Sequence, residues 1–177
     1  AANGPDTTAK SLGESGVRAG VSKECLHVVV GGLAVMRPLE HGPGGRRFAP
    51  VQSASELGGL PGNTIGVYQA HPGLPGIAPG QISAEAGRAA AAYVYGAIDL
   101  GKRDEIQGIV TAPLNKAALH MGGEKHPGHT EMLADGFGVR NFAMVLAAEG
   151  RYVFHVTTHM GLREAVESLT VDKIYAR

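Results

Sequence analysis

Four polar residues in the second half of the sequence have types and positions that suit chemistry on a small anionic molecule. His129 and Thr130 follow a Pro-Gly turn, Lys116 follows a short apolar run, and His159 ends another apolar run. Backbone N–H groups and a hydroxyl bind phosphate oxygens, an ammonium group neutralises negative charge, and an imidazole binds metals or moves protons. These residue types together indicate a site for an anionic ligand such as a phosphate ester.

The segment His129-Thr130-Glu131 has two interpretations that are compatible with each other. In the structural one, it begins a helix, with Thr130 as the N-cap and the Glu131 carboxylate facing the positive end of the helix dipole. In the functional one, the free N–H groups of that same helix start, the Thr130 hydroxyl and the His129 imidazole bind the anion. We adopt both, which makes His129 and Thr130 the substrate-binding candidates.

Lys116 follows the predicted buried strand 108–112 and the turn Pro113-Leu114-Asn115. A lone lysine at such a position is usually a solvated surface charge. Near a bound anion, its ammonium group would be a charge partner or a proton donor, so Lys116 is the catalytic candidate.

His155 and His159 have the H-x-x-x-H spacing that chelates one metal ion when it lies on a helix. The surrounding residues are β-branched and aromatic, which favours a strand over 151–159. Four residues of strand span roughly 13 Å, too far for two imidazoles to bind one ion. His159, at the carboxyl end of the strand, is therefore the functional candidate, His155 is assigned to structure, and a zinc hydrolase built on the pair requires a helix.

The elements that would position these residues alternate between strand and helix. An apolar stripe at helical spacing predicts a helix over 83–100, capped by Ser83 and stopped by Gly101. The region 41–80 is rich in turns. The alternation in the second half predicts an α/β fold with a mainly parallel sheet, in which ligands bind at the carboxyl ends of strands. The other predicted strands cover 26–30, 64–68, 108–112 and 141–148, and the other predicted helices cover 5–12, 117–121, the residues from 132 and 164–169.

Several other features of the sequence carry no chemistry. Residues 96–102 match G-x-x-x-x-G-K, but Arg103 follows in place of Ser or Thr and the match lies at a helix end, so we reject a P-loop. His120 and His126 are interpreted as exposed loop residues, and Cys25 as a small buried hydrophobic residue.

The bulk composition excludes some partners. The 177 residues carry 16 Lys plus Arg against 16 Asp plus Glu, so no basic field favours nucleic acid or a membrane surface. No apolar run is long enough to span a membrane. The one cysteine fits a reducing compartment, which predicts a cytoplasmic protein.

Four motifs together resemble the 4-hydroxythreonine-4-phosphate dehydrogenase family, which includes the threonate and erythronate 4-phosphate dehydrogenases. Their order and spacing make the resemblance specific, and it covers nearly the whole chain. The motifs are P-G-Q-I-S-A-E-A-G-R-A-A, G-I-V-T-A-P-L-N-K, H-P-G-H-T-E-M-L-A and V-T-T-H-M-G-L-R.

The resemblance implies a two-lobed α/β/α fold like that of isocitrate and isopropylmalate dehydrogenases, seen incomplete, with residues 1–103 in the first lobe and 104–177 starting the second. It implies a homodimer in pyridoxine and pyridoxal phosphate biosynthesis. The implied reaction is NAD- or NADP-dependent oxidation of the secondary alcohol of a phosphorylated four-carbon hydroxy acid, with decarboxylation. A divalent metal (Zn, Mg or Mn) would hold the hydroxyl as a Lewis acid. Hydroxythreonine phosphate and the sugar-acid phosphates stay open as substrates.

By motif, His129 and Thr130 match substrate-binding positions, His159 matches one of three metal-binding histidines, and Lys116 matches a position in the active-site cleft. The family's first strand and roughly its C-terminal half, with the other metal histidines and the dinucleotide segment, have no counterpart here. We therefore expect this chain alone not to be a competent enzyme. The alternative is a non-catalytic phosphate-binding fragment or a degenerate homologue.

Overall fold

A computed structural model describes residues 25–41, 46–72, 80–158 and 160–175. They form two compact units, one ending at Phe137 and the other starting at Gly138. The helix predicted over 5–12 and the candidate His159 lie outside the described residues. The division into lobes at residues 103 and 104 stays a prediction.

In the first unit, a parallel sheet supports the helices that carry the candidate site. Its strands β1 (Val28–Val30), β2 (Arg47–Val51) and β3 (Thr64–Tyr68) have the order β1-β3-β2. Val29 pairs with Val67, and Phe48 pairs with Ile65. The parallel α/β prediction is thus confirmed for this unit, as are the strands at 26–30 and 64–68, although β1 is shorter than predicted.

The strand β2 lies in the region that the sequence analysis described only as turn-rich. It contains Pro50, which cannot donate a ladder hydrogen bond and therefore weakens the strand pattern. Among the described strands, β2 is at an edge of the sheet and pairs with β3. An edge position tolerates proline, so Pro50 is compatible with this strand.

The longest helix of the first unit, α2 (Ala84–Lys102), follows the short α1 (Leu33–Met36) and two 3-10 segments, Arg37–His41 and Ala54–Gly59. Ser83 caps α2 as predicted, because its Oγ accepts a hydrogen bond of 3.1 Å from the Ala86 N–H. The predicted stop at Gly101 is wrong. A Cβ on Gly101 would lie 2.7 Å from the Phe137 ring, so this glycine lets that ring pack against the helix.

Two short helices pack against α2, namely α3 (Lys116–Met121) and α4 (His129–Phe137). One apolar cluster holds both against α2, and a second lies between the sheet and α1. The members of the first are Val94, Ile98, Leu119 and Met132; those of the second are Met36, Phe48, Ile65 and Val67.

Two expectations about the first unit are wrong. Residues 108–112 are not a buried strand: no described strand pairs with this segment, and Val110 is 99% exposed. Without a neighbouring strand, its backbone groups have no ladder to join. Cys25 is exposed rather than buried, because it lies before the start of β1.

The second unit contains β4 (Val145–Ala148), β5 (Arg151–Phe154), α5 (Leu162–Glu167) and α6 (Val171–Tyr175). The two predicted strands are confirmed with shorter bounds, and the helix predicted over 164–169 is found two residues earlier, but the two strands pair antiparallel. Glu149 and Gly150 connect them with φ values of 43° and 79°. A two-residue turn with positive φ at both positions makes a hairpin, so a parallel arrangement is excluded for this pair. No helix in the described part of the chain is long and apolar enough to cross a membrane.

Candidate functional site

The helix α4 begins at the turn that the sequence analysis selected. The Met132 N–H donates to the Gly128 carbonyl at 3.2 Å, which makes Gly128 the N-cap residue and His129 the first residue of the helix. Thr130 is therefore not the cap, and that prediction is wrong; glycine fills the position because it is tolerated there. The backbone N–H groups of His129, Thr130 and Glu131 belong to the first turn, which has no earlier helical carbonyls to bind.

The two substrate-binding candidates differ in exposure. The Thr130 side chain is exposed at the helix start, and the His129 side chain is half-buried. Burial lowers the pKa of His129, because desolvation penalises the imidazolium form. At neutral pH, the ring is therefore neutral and offers one nitrogen donor and one nitrogen acceptor.

Lys116 lies beside the same turn. It begins α3, whose cap is Asn115: the Asn115 Oδ1 accepts from the Ala118 N–H at 2.9 Å. A Cβ placed on Gly128 would lie 3.8 Å from Lys116 Cε and 3.7 Å from a Glu131 carboxylate oxygen. The stem of Lys116 thus runs past Gly128, and its exposed ammonium group lies within reach of the start of α4.

Glycines fix α3 at this distance from the site. A Cβ on Gly87 of α2 would overlap the Ala118 carbonyl, and a Cβ on Gly122 would lie 2.6 Å from the Arg88 backbone nitrogen. The backbones of α2 and α3 are therefore in direct contact at these two points. That contact holds Lys116 at one end of α3 and the connection to α4 at the other end.

The sequence analysis missed a polar cluster in the connection 122–128. The Glu124 carboxylate accepts from the Lys125 N–H at 2.8 Å, from the His126 N–H at 3.1 Å and from His126 Nδ1 at 2.7 Å. The Tyr95 hydroxyl, from α2, donates to its other oxygen at 2.7 Å. We call Glu124, His126 and Tyr95 the Glu124 cluster.

The electrostatics of the Glu124 cluster favour an ionised carboxylate. Burial would raise the pKa of Glu124, but the hydrogen bonds from His126, Tyr95 and Lys125 outweigh it and lower the pKa to about 2. Burial and the Glu124 carboxylate raise the pKa of Tyr95 to about 12, with a smaller contribution from Asp135. The phenol therefore stays a donor throughout the physiological range.

The cluster corrects the interpretation of two histidines as exposed loop residues. His126 is half-buried and bonded to Glu124. His120 is exposed but helical, and its Nδ1 lies 3.0 Å from the Glu124 carbonyl oxygen. The available sequence signal was an acidic residue in a short connection between two helices, where a carboxylate can bind the next two N–H groups.

The metal prediction stays a prediction. His155 lies just after β5, where its N–H donates to the Met144 carbonyl at 2.9 Å, in keeping with a structural role. Residues 151–158 form no helix, so the geometry that a hydrolase on the histidine pair requires is not found there. Within the described ranges, no three His, Cys, Asp or Glu side chains are grouped so that they could hold a metal ion.

Comparison with known proteins gives a consistent picture. Residues 23–177 match the family model described as pyridoxal phosphate biosynthetic protein PdxA. The D-threonate 4-phosphate dehydrogenase of Bordetella bronchiseptica is 44% identical over 98% of this chain and 49% of its own length. The 4-hydroxythreonine-4-phosphate dehydrogenase of Desulfosudis oleivorans is 34% identical over 87% of this chain and 46% of its own.

Solved structures match the chain equally well. The crystal structure of a 4-hydroxythreonine-4-phosphate dehydrogenase from Burkholderia phymatum has a TM-score of 0.83 at 36% identity, covering 98% of this chain and 52% of that one. A putative enzyme of the same name from Salmonella typhimurium has a TM-score of 0.81 at 33% identity. The chain spans about half the length of the curated relatives it matches.

Proposed function

The chain belongs to the family of pyridoxal phosphate biosynthetic protein PdxA, and from this membership we propose that it contributes the phosphate-binding part of a dehydrogenase acting on a phosphorylated four-carbon hydroxy acid. The single observation that supports this is the common location of Lys116, His129 and Thr130 around Gly128 at the start of α4.

The proposed binding mode uses three kinds of donor. The free N–H groups of the first turn of α4 and the Thr130 hydroxyl would bind the phosphate oxygens, and the helix dipole favours the negative charge. The exposed Lys116 ammonium group would neutralise a second oxygen or serve as a proton donor. The neutral His129 imidazole would hydrogen-bond the ligand next to the phosphate without adding a fixed charge.

The rest of the reaction is proposed from the resemblance. NAD or NADP would accept the hydride from the secondary alcohol, and a Zn, Mg or Mn ion held by His159 and further histidines would polarise the nascent carbonyl before decarboxylation. The described residues contain neither a dinucleotide motif that we identify nor a grouped set of three metal ligands. The isocitrate-dehydrogenase-like two-lobed fold, the homodimer and the cytoplasmic location are part of the same proposal.

Two substrate types follow from the names of the relatives. D-threonate 4-phosphate is proposed first, because a relative with that activity in its name is 44% identical over 98% of this chain. The 4-hydroxythreonine phosphate is the second candidate. Both carry the phosphate that the α4 site would bind, so this site does not discriminate between them.

Calorimetric titration with D-threonate 4-phosphate and with unphosphorylated D-threonate tests the proposal. We expect the phosphate ester to bind and D-threonate to bind about 100-fold more weakly, because hydrogen bonds to a charged group stabilise by about 1.5–3 kcal/mol each. Thr130→Ala and Lys116→Met should each weaken the binding of the phosphate ester by roughly tenfold. Lys102→Met, at the exposed end of α2, should leave the binding unchanged. Equal affinity for the two ligands would contradict the proposal.

A second measurement separates the dehydrogenase from a non-catalytic binding fragment. Reduction of NAD or NADP with either phosphate ester, followed at 340 nm with and without a chelator, reports the redox reaction. Chelator-sensitive reduction would support the dehydrogenase and contradict the binding-fragment alternative. Ester binding without reduction would agree with the expectation that this chain alone is not a competent enzyme.

A further inference from the structure

The connection 122–128 joins the helix that carries Lys116 to the helix that carries His129 and Thr130. It has turns and bends but no regular secondary structure of its own. Residues 122–124 donate backbone hydrogen bonds to α3. The N–H groups of residues 125 and 126 instead donate to the Glu124 carboxylate, which also accepts from His126 Nδ1 and the Tyr95 hydroxyl.

We propose that Glu124 is a positioning residue for the anion site, one that fixes the start of α4 through the Glu124 cluster. The inference rests on the proposed function, because positioning has meaning only if that helix start binds a ligand. Glu124 itself is not proposed to touch the ligand. It acts through the backbone of residues 125–128.

The contacts of the cluster reach every helix around the site. Tyr95 attaches Glu124 to α2, and His120 attaches the Glu124 carbonyl to the last turn of α3. The other nitrogen of His126, Nε2, lies 3.6 Å from an Asp135 oxygen of α4. Glu124 thus contacts α2 through its carboxylate and α3 through its carbonyl, and its partner His126 lies beside α4.

Glu124 is suited to this role by its burial and by the number of its partners. Its side chain is only 11% exposed, although it lies in a surface connection. Both oxygens are bound, one by Tyr95 and the other by three donors from residues 125 and 126. A long side chain pays conformational entropy when it is fixed, and four charge-assisted hydrogen bonds offset that cost.

The cluster acts close to the site in sequence and space. His126 is three residues before His129, and the intervening Gly128 supplies the first helical carbonyl of α4. If the cluster is broken, residues 125–128 gain freedom, and the N–H groups of the first turn no longer point in one direction. Glu124 thereby sets the pre-organisation of the anion site, which limits how tightly it binds.

The test uses Glu124→Gln and Tyr95→Phe, with Asp99→Asn as the control. Asp99 is an exposed acid one turn beyond Tyr95 on α2, so its replacement removes a similar charge outside the cluster. Two NMR readouts are measured in each protein. The first is the Kd for inorganic phosphate from the amide shifts of residues 129–131, and the second is the titration of the His129 ring without ligand.

In Glu124→Gln, we expect the phosphate Kd to rise about tenfold and the His129 ring to titrate closer to the ordinary histidine value, as its half-buried position is lost. Tyr95→Phe should change both readouts in the same direction and less strongly. The double variant should show less than the sum of the single effects, because both changes break one cluster. Asp99→Asn should resemble the wild type.

The outcomes separate this proposal from the proposed function. Unchanged phosphate affinity and an unchanged His129 titration in Glu124→Gln would overturn the positioning role. If phosphate fails to shift residues 129–131 in the wild type, the proposed function is contradicted, and the His129 titration alone then decides the positioning role. If Glu124→Gln does not fold, Tyr95→Phe, which removes one partly exposed hydroxyl, gives the answer.

Discussion

His129 and Thr130 are neighbours in the sequence, yet the fold gives their side chains different environments. Thr130 is exposed and offers a hydroxyl to solvent or ligand, whereas His129 is half-buried and has a lowered pKa. A neutral imidazole beside a helix N-terminus avoids repulsion between the imidazolium and the positive end of the dipole. The ring can therefore hydrogen-bond a ligand while the N–H groups of the helix carry the attraction for its phosphate.

The lowered pKa of His129 predicts a pH dependence of stability. As the pH is lowered, His129 binds a proton in the unfolded state, where its pKa is near 6.5, at a higher pH than in the folded state. The stability that the neutral His129 contributes is therefore fully present above about pH 6.5, and it is lost as the pH decreases through the pKa of the folded state. The melting temperature of the wild type, compared with that of His129→Gln, should fall between pH 7.5 and pH 5.

A constant difference between the wild type and His129→Gln over this pH range would show that burial does not shift the titration of His129.

The Glu124 carboxylate predicts an effect at lower pH. Its folded pKa of about 2 lies below the ordinary value of 4.5, so its stabilisation is present above about pH 4.5 and is lost as the pH falls toward 2. At neutral pH, Glu124→Gln should lower the melting temperature by about 4 °C. The gap between the two proteins should close on acidification, as followed by circular dichroism. A gap that persists at pH 2 would contradict an ionised Glu124.

At the scale of elements, the site depends on how closely α3 approaches α2. Gly87 and Gly122 permit backbone contact between these helices, and the Leu119 side chain of α3 is fully buried against α2. The proposed anion site is thus placed by packing that contains no chemically reactive group. Changes at these glycines should act on stability and on the position of the site together.

Gly87→Ala tests this dependence. Its methyl group would overlap the Ala118 carbonyl, so we expect a loss of about 2 kcal/mol or more in the free energy of unfolding, measured by urea denaturation. Gly58→Ala is the control, since a Cβ there has no neighbour within 4 Å, and it should stay within about 0.5 kcal/mol. Equal losses in both variants would show that the close approach of α2 and α3 does not limit stability.

The sequence predicted the elements whose signals are local. The cap at Ser83, the stripe of α2, the strand β3 and the short α3 before Gly122 all depend on neighbouring residues, and all are confirmed. The predictions failed where contact with another element determines whether a strand forms or how it pairs. Val110 is in an apolar run but has no described strand beside it, and the pairing direction of β4 and β5 depends on a two-residue turn.

The site divides along the same line. The Pro-Gly-His-Thr pattern could be selected because it precedes a predicted helix. Lys116 was selected as following a strand at 108–112 that does not form, although it does begin the predicted helix α3. The Glu124 cluster could not be selected, because Tyr95 is 29 positions away in the chain and only the packing of α2 brings its hydroxyl to the carboxylate. The relation of His159 to this site stays a prediction.

At the scale of the whole molecule, the burial of apolar side chains is uneven. Every buried hydrophobic residue found in the described ranges lies at or before Met132, in the first unit. In the hairpin of the second unit, Tyr152 is 68% exposed and Phe154 is 56% exposed. Since apolar burial is the main stabilising contribution, the two units should differ in local stability.

Amide hydrogen exchange measures that difference. We expect the amides of β3 and of the middle of α2 to exchange only on global unfolding, because they lie over buried side chains such as Val67 and Ile98. The amides of β4 and β5 should exchange at least about 100-fold faster, because an isolated two-stranded hairpin is at best marginally stable. Adding D-threonate 4-phosphate should slow exchange at residues 124–131 and leave β4 and β5 unchanged. Equal protection of β3 and β5 without ligand would contradict the view that the stability of this chain resides in the unit that carries the proposed anion site.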